Sequence, residues 1–306
     1  MLEPTNVYIW TIVSAVFIVV LYLKLSSSSP LSLRQSTPGM RDDPAKVQET
    51  PDSALAQLVQ PYDIFLVLDV EGTCEQGSGF DYPNEIIEFP VCLMKWKDKQ
   101  RRELVVIDEF RSFVRPSWRP TLTRFCEELT GITQSQVDNA PYFPRVLESV
   151  FEFLIEHGVL EGSSGKPLQR FCWCSDGPYD VRDFVVKQCF ISEISIPTWL
   201  RGDILDVNRL VTDIIIMQNY RGRKMKAMLA RNHPRRPSMN ISSQLRALEL
   251  PAFEGRKHSG IDDARNISRI VSECARRNIC LKPNTHINPN RRWGWMGKPG
   301  QVVLPE

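Results

Sequence analysis

The stretch from Ile64 to Thr73 constrains the fold most, because an apolar run leads directly into two closely spaced carboxylates. The run Ile64–Leu68 is typical of a β-strand that is buried on both faces. Asp69 and Glu71 follow it, and residues two apart on an extended chain point to the same side. Buried carboxylates repel each other unless a cation neutralises them, and oxygen ligands suit Mg²⁺ or Mn²⁺. The alternative is an acidic strand end that faces solvent.

Composition is typical of a globular protein in a reducing compartment. The 306 residues carry a formal net charge of +2, so any nucleic-acid surface would have to be a local patch. The eight cysteines form no Cys-x-x-Cys pair, and several lie inside apolar runs. Buried free thiols are therefore expected. At this length the chain can hold one large domain or two small ones.

Residues 7–23 form an uncharged apolar run near the N-terminus. A helix of that length would span roughly 26 Å, close to the lower limit for crossing a bilayer. Trp10 and Tyr22 lie near its ends, where interfacial aromatic residues are enriched. The alternative is a cleaved signal peptide, but no positive charge precedes the run. We therefore predict an N-terminal transmembrane anchor at residues 1–24.

The charges beside that run predict its orientation. Lys24 and Arg34 follow the run, whereas Glu3 precedes it. Basic residues favour the cytoplasmic side, so we expect a single-pass, membrane-anchored protein with its C-terminal bulk in the cytoplasm. The mitochondrial outer membrane, the endoplasmic reticulum and the nuclear envelope all remain candidates. Residues 25–60 are rich in Ser, Pro, Gln and Asp, which predicts a disordered tether.

Several strands and helices are predicted after the tether, beginning near Pro61. Strands are expected at residues 64–68, 85–96, 104–114 and 169–175. Short turns between the first three favour an antiparallel meander. Helices are expected at residues 121–129, 143–157, 181–190, 206–217 and 238–250, and a further helix opens after His258.

Two later motifs offer acidic or histidine side chains to a site. Asp176 and Asp180 stand at a predicted strand-to-helix junction. His258 comes just before a helix whose first turn contains Asp262 and Asp263. Acidic residues in that turn also favour a helix N-terminus without any further role, and we assign Asp262 to that function.

A basic stretch and an aromatic tail remain outside these motifs. Residues 221–236 contain many basic residues and no acidic one, and they include Arg221, Arg223 and Lys224. Such a stretch suits phosphate contacts, although a solvated loop is the alternative. The C-terminal tail contains Trp293–Met296. Its rings either pack back on the domain or are exposed for stacking with bases.

Together these motifs resemble the DEDDh group of DnaQ-like 3′–5′ exonucleases. Within that group the chain resembles the branch of the 3′ histone mRNA exonuclease and the enhanced-RNAi exoribonucleases, over about residues 64–280. The resemblance rests on five motifs in order: Leu68–Cys74, Asn84–Pro90, Leu129–Ile132, Asp176–Asp180 and His258–Ile267. It implies an α/β fold, an RNase H-like mixed β-sheet flanked by helices. It assigns residues 61–282 to the exonuclease domain and leaves 283–306 as an irregular tail.

The resemblance also implies a role for the motif residues. The implied metal ligands are Asp69, Glu71, Asp180 and Asp263, and the implied general base is His258. Asp180 is preferred to Asp176 because the family's acid follows an aromatic residue, here Tyr179. The implied cofactor is a pair of Mg²⁺ ions, for which Mn²⁺ can substitute. Two such ions stabilise the attacking and leaving oxygens of a phosphodiester, while a neutral histidine accepts a proton from water.

RNA is the substrate that this branch implies. The family positions that contact the terminal nucleotide are held here by Thr73, Leu129 and Thr130. The 3′ ends of small RNA, histone mRNA or ribosomal RNA precursors are the implied partners. Two other functions stay open, namely a DNA 3′ exonuclease that uses the same site and a non-catalytic RNA-binding adaptor on the same fold. No P-loop, Gly-x-Ser-x-Gly or dinucleotide fingerprint points to another enzyme class.

Overall fold

A mixed β-sheet organises the computed structural model, which describes residues 59–219 and 239–304. The strands are β1 (Ile64–Leu68), β2 (Glu71–Gly72), β3 (Ile86–Trp96), β4 (Leu104–Phe113), β5 (Phe171–Ser175) and β6 (Leu205–Asp206). β3 runs antiparallel to β1, β2 and β4, whereas β5 pairs in parallel with both β1 and β6. The predicted antiparallel meander is therefore confirmed, and it forms one side of the sheet.

Helices pack on both faces of this sheet. They are α1 (Arg124–Thr130), α2 (Gln134–Asp138), α3 (Phe143–Glu156), α4 (Val186–Ile191), α5 (Val207–Asn219), α6 (Ile241–Ala247) and α7 (Gly260–Arg276). A π-helix (Asp180–Val185) leads into α4, and a 3₁₀ turn covers Thr198–Leu200. Each predicted helix occurs with its ends shifted by a few residues. The helix predicted at 181–190 differs in type, because its first part is the π-helix.

The sequence of β1 explains why it lies at the centre of the fold. All of Ile64–Leu68 is 0% exposed. Leu66 and Leu68 join a core shared with α3, whereas Phe65 and Val67 join a second core shared with α7. Alternate side chains of a strand point to opposite faces, so one apolar run supplies both cores. The C-terminal end of β1 is thereby fixed between two packed layers.

The parallel pairing of β1 with β5 brings acidic segments to one edge of the sheet. The carboxyl ends of the two strands lie side by side, with Asp69 following β1 and Asp176 following β5. The N-terminus of α7 reaches the same edge, since a Cβ at Gly260 would lie 2.5 Å from the backbone carbonyl oxygen of Asp69. Glycine at that position therefore permits the close approach of helix and strand.

The C-terminal segment (residues 282–304) packs back on the domain. Trp293, Trp295 and Met296 are buried in the core that contains α3. The Trp295 indole Nε1 donates a 2.7 Å hydrogen bond to the carbonyl oxygen of Asp81. Of the two possibilities that the sequence left open, packing on the domain is the one observed. These tryptophan rings are therefore not available for stacking with bases.

Several predictions concern other parts of the chain. The cysteines have free thiols and most are buried, as expected. Between residues 59 and 219 and between 239 and 304, no helix is both long and apolar enough to cross a membrane. The predicted anchor at 1–24 and nearly all of the tether at 25–60 lie outside the described residues. The same holds for the basic stretch with Arg221, Arg223 and Lys224.

Candidate metal and catalytic site

Three carboxylates converge at the C-terminal end of β1. Oxygen atoms of Asp69, Glu71 and Asp263 all lie within 4.8 Å of one another. Asp69 and Glu71 stand at the break between β1 and β2, and Asp263 comes from the first turn of α7. Clustered carboxylate oxygens are the ligands that hard divalent cations prefer. The arrangement therefore fits a divalent metal site.

Burial and mutual repulsion raise the pKa values of these carboxyls. Burial, followed by the charges of Asp180 and Asp263, raises the pKa of Asp69 well above its usual range. Burial, together with Asp263 and Glu88, raises the pKa of Glu71 to about 9. The pKa of Asp263 is also raised, chiefly by burial. A divalent cation would remove this repulsion and favour the ionised carboxylates, which supports the fit to a metal.

Asp180 lies beside the group of three rather than within it. It begins the π-helix, and its Oδ1 accepts a 2.9 Å hydrogen bond from the Val70 amide, between the two acids of the first motif. Asp176, the alternative ligand, instead accepts a 2.6 Å hydrogen bond from Gln244 Nε2. Asp180 thus faces the β1–β2 break while Asp176 is held by α6. This geometry favours Asp180 as the fourth acid, and its metal role stays a prediction.

His258 lies at the entrance to α7, where a general base was predicted. Its backbone has a left-handed conformation with φ 59°, and its side chain is exposed. Partial burial, followed by the charges of Arg256 and Lys257, lowers the pKa of His258. The imidazole is therefore neutral at physiological pH, which is the state that accepts a proton. Asp263 reaches back to this loop, because its Oδ2 accepts a 3.1 Å hydrogen bond from the Ser259 amide.

The three predicted nucleotide contacts differ in accessibility. Thr130 is buried, and its hydroxyl donates a 2.8 Å hydrogen bond to the Cys126 carbonyl. The Thr73 hydroxyl accepts a 2.9 Å hydrogen bond from the Glu85 amide. Thr73 and Leu129 keep accessible surface, whereas Thr130 does not. The Thr130 side chain therefore stabilises the end of α1 and is not exposed to a substrate.

Arg256 is a residue that the sequence analysis missed. Its guanidinium donates 3.0 Å hydrogen bonds to the carbonyls of Glu128 and Leu129 at the end of α1, and it also bonds the Thr130 carbonyl. The same side chain donates a 3.0 Å hydrogen bond to the His258 carbonyl. Arg256 thus joins the histidine loop to α1. Its position two residues before His258 was the only available signal.

Glu88 is a second residue near the site whose role was not predicted from the sequence. It is buried and lies opposite Glu71 in the pairing of β2 with β3. Its carboxylate accepts hydrogen bonds from the Gly260 amide (3.1 Å) and from Arg111 Nε (2.7 Å). Glu88 therefore ties the N-terminus of α7 to the sheet beside the carboxylate cluster. Its place in the motif Asn84–Pro90 was the signal.

An exposed aromatic pair includes the residue that precedes Asp180 in the chain. The rings of Phe80 and Tyr179 stack with centroids 4.2 Å apart, and both side chains are exposed. Tyr179 directly precedes Asp180 in the chain. Exposed aromatic rings suit stacking with nucleobases, and here the guanidinium of Arg182 also lies 4.9 Å from the Tyr179 ring centroid. The sequence marked Tyr179 only as the aromatic residue of its motif and gave no indication of Phe80.

Comparisons with known proteins show which family the chain belongs to. The exonuclease family model RNase_T matches residues 66–196. The chain is similar to the 3′-5′ exonuclease eri1 of Schizosaccharomyces pombe, with 36% identity over 76% of this chain and 74% of that protein. It is 31% identical to 3′-5′ exoribonuclease 1 of Homo sapiens, over 69% of this chain and 52% of the human protein. The chain thus spans about half the length of its mammalian relatives.

Solved structures share the same architecture. The nuclease domain of 3′hExo, a DEDDh family member bound to rAMP, matches with a TM-score of 0.60 and 28% identity, over 74% of this chain and 98% of that domain. Cell-death related nuclease 4 matches with a TM-score of 0.56 and 26% identity, over 71% of this chain and 65% of that chain. The expected RNase H-like mixed sheet is therefore confirmed. The chain belongs to the DEDDh 3′–5′ exonucleases, in the branch of Eri1 and the 3′ histone mRNA exonuclease.

Proposed function

We propose that the protein hydrolyses RNA from its 3′ end and releases 5′-mononucleotides. The observation that supports this most directly is the cluster of Asp69, Glu71 and Asp263 in a chain of the DEDDh family. With Asp180 beside them, these acids would hold two Mg²⁺ ions, for which Mn²⁺ can substitute. Bound there, the ions would stabilise the charge that develops on the attacking and leaving oxygens of the phosphodiester.

His258 would accept the proton of the attacking water. Its lowered pKa keeps the imidazole neutral at physiological pH, and its exposed side chain can reach a bound strand. The hydrogen bond from Arg256 to the His258 carbonyl fixes the loop that presents the ring. The acidic residues would thus bind the metal, and His258 would accept the proton.

RNA is proposed as the substrate because of what the relatives are called. Several are named exoribonucleases, and one structural neighbour is described as recognising the 3′ end of a histone mRNA stem-loop. Thr73 and Leu129 would contact the terminal nucleotide, and the Phe80–Tyr179 pair offers an aromatic face beside it. The basic stretch with Arg221, Arg223 and Lys224 would contact phosphates farther along the strand.

The direct test is degradation of matched strands. The full chain is incubated with a 5′-labelled single-stranded RNA or its DNA counterpart, in the presence of Mg²⁺, Mn²⁺ or EDTA, beside Asp69→Asn. We expect a ladder that shortens from the 3′ end of the RNA, requires the metal and disappears in the variant.

Two other outcomes would replace this proposal. Faster degradation of the DNA would make the protein a DNA 3′ exonuclease on the same site. Intact strands of both kinds, with RNA still bound, would leave the non-catalytic adaptor as the better description.

We also propose that residues 7–23 anchor the protein in a membrane, with the nuclease domain on the cytoplasmic side. The support is the uncharged apolar run and the basic residues that follow it. Alkaline extraction of cell membranes tests the anchor, because a spanning segment stays in the membrane pellet. Protease treatment of intact vesicles tests the orientation, because a cytoplasmic domain is digested.

A further inference from the structure

The C-terminal segment (residues 282–304) makes a charged contact with the π-helix that begins at Asp180. Asp183 lies in the π-helix and its side chain is 1% exposed. Arg291 Nη1 donates a 2.6 Å hydrogen bond to Asp183 Oδ1. A buried carboxylate requires a cation and hydrogen bonds to offset the loss of hydration. Arg291 therefore neutralises the buried carboxylate of Asp183, which lies far from it in the sequence.

A second arginine shares this carboxylate but cannot replace the contact. Arg182 reaches Asp183 through Nε (3.1 Å) and Nη2 (2.7 Å). It is the neighbouring residue of the same π-helix, so this pair moves with the helix. Arg291 comes from outside the helix and stacks on Trp293, with its guanidinium 4.6 Å from the ring centroid. Among the described residues, Arg291 is the hydrogen-bond partner that ties the Asp183 carboxylate to a segment outside its own helix.

The π-helix that carries Asp183 also carries Asp180. Asp180 receives the hydrogen bond from the Val70 amide, and Phe184 packs so closely on Gly72 that a Cβ there would collide with the ring. The helix is six residues long, and π-helices are rare and frequently found at functional sites. Its position must therefore come from side-chain contacts rather than from helix propensity.

A third contact joins the same region to the loop before β3. Lys187 follows the π-helix, is 0% exposed, and lies with Nζ 5.1 Å from the ring centroid of Trp293. Its ammonium donates hydrogen bonds to the carbonyls of Tyr82 (2.7 Å) and Phe80. The C-terminal segment thus packs against the helix that follows Asp180 and against the loop before β3.

We propose that Arg291 is a positioning residue for metal binding, acting through Asp183 to hold Asp180 at the β1–β2 break. This inference rests on the proposed function, because it assumes that Asp180 is a metal ligand. It assigns to the C-terminal segment a role that none of the sequence motifs indicated.

The test compares Arg291→Gln with Arg292→Gln in the full chain. Arg292 belongs to the same segment and is exposed, and its guanidinium lies 5.3 Å from the ring centroid of Phe190. Its hydrogen bonds go to the backbone carbonyls of Met296 (2.8 Å) and Gly297 (2.7 Å) and not to Asp183. Binding of Mn²⁺ alone is measured by the electron paramagnetic resonance of the free ion, without substrate. We expect Arg291→Gln to weaken Mn²⁺ binding by about 10-fold or more, as supporting residues of metal sites do. Arg292→Gln should change it less than twofold.

Whether Arg291→Gln weakens or tightens Mn²⁺ binding distinguishes a positioning role from a purely electrostatic one. Removing a positive charge near a cation site should tighten metal binding if only the charge matters. Weaker binding in Arg291→Gln therefore indicates lost geometry. Arg291→Lys keeps the charge without the planar guanidinium, and we expect it to restore binding only in part. Equal Mn²⁺ affinity in Arg291→Gln and Arg292→Gln would overturn the inference.

A double variant keeps the test decisive if Arg291→Gln fails to fold. Adding Asp183→Asn removes the buried charge that would then have Arg182 alone to offset it, so the double variant should fold while its Mn²⁺ affinity stays low. Wild-type affinity in the double variant would overturn the inference. Failure of the proposed function has a different signature, because it appears in the wild-type chain, which would then not degrade RNA whatever the effect of Arg291→Gln on Mn²⁺ binding.

Discussion

The two ends of β1 place aspartates in opposite electrostatic settings. Just before the strand, Asp63 pairs with Arg101 and with Arg170, whose Nε lies 2.9 Å from Oδ2, and hydrogen bonds from Arg170 lower the pKa of Asp63 to about 2. Just after the strand, Asp69 lies among carboxylates, and burial followed by the charge of Asp180 raises its pKa. The chain is therefore stabilised where the strand begins and destabilised where it ends.

The ion pairs of Asp63 stabilise the fold. The carboxylate cluster around Asp69 destabilises it and persists because the rest of the domain is stable enough. The cluster at Asp69 would cost free energy in the absence of metal, and the fully buried strand Ile64–Leu68 offsets that cost. A divalent ion would give the cluster the opposite charge that Arg170 already gives Asp63. The contrast predicts that equivalent substitutions at the two ends change metal-free stability in opposite directions, and that only the substitution at Asp69 lowers activity.

The largest expected effect is the loss of activity in Asp69→Asn. We expect the rate of RNA degradation to fall by at least about 10⁴-fold, the upper end of what a general base supplies, because water activation and charge stabilisation both depend on the metals. In EDTA the same variant should melt at a higher temperature, since one repelling charge is gone. Asp63→Asn is the matched control, with full activity and a lower melting temperature. A lower metal-free melting temperature for Asp69→Asn would show that the carboxylate cluster does not destabilise the end of β1.

A smaller loss of activity is expected for His258→Ala, because this substitution leaves the aspartates on both sides of β1 in place. The rate should fall by about 10²–10⁴-fold, the usual contribution of a general base. Because His258 lies outside the group of three carboxylates, stabilisation by Mg²⁺ should persist. Single-turnover degradation and thermal denaturation with Mg²⁺ measure the two quantities. Loss of the Mg²⁺ stabilisation would instead identify His258 as a metal ligand.

The parts of the site that sequence predicted are those with a regular local pattern. The apolar run before Asp69 predicted β1, and the spacing of Asp69 and Glu71 predicted their common direction. The apolar periodicity after His258 predicted α7, whose first turn places Asp263 in the cluster. In these elements, a residue's direction follows from its position in a strand or a helix.

The parts that sequence did not predict depend on contacts between distant segments. An α-helix and the π-helix Asp180–Val185 have similar apolar patterns, so periodicity cannot distinguish them. The contact of Arg291 with Asp183 and that of Arg256 with the end of α1 join residues far apart in the chain. Such contacts leave no local pattern, and the burial of Trp293 and Trp295 was likewise undecided.

Metal addition tests whether the two ends of β1 act independently. Each Mg²⁺ site that is filled at 100 times its dissociation constant should raise the free energy of unfolding by about 2.7 kcal/mol. Asp63→Asn should show the same increment as wild type, because distant sites contribute additively. Denaturant titrations with Mg²⁺ or EDTA measure it. A smaller increment in Asp63→Asn would show that the pair at the start of the strand also positions the cluster.

The smallest expected effect is the acid dependence of Asp63→Asn. The folded pKa of Asp63 lies below its unfolded value, so the ionised carboxylate stabilises the fold above the unfolded pKa of 3.8, and this contribution is lost as the pH falls through about 2. Its side chain is 26% exposed, so solvent screening limits the effect to about 1 kcal/mol near pH 7. Urea titrations from pH 7 to pH 2 should show the wild type and Asp63→Asn converging at the acid end. A difference that stayed constant to pH 2 would mean that the carboxylate's charge is not what stabilises the start of β1.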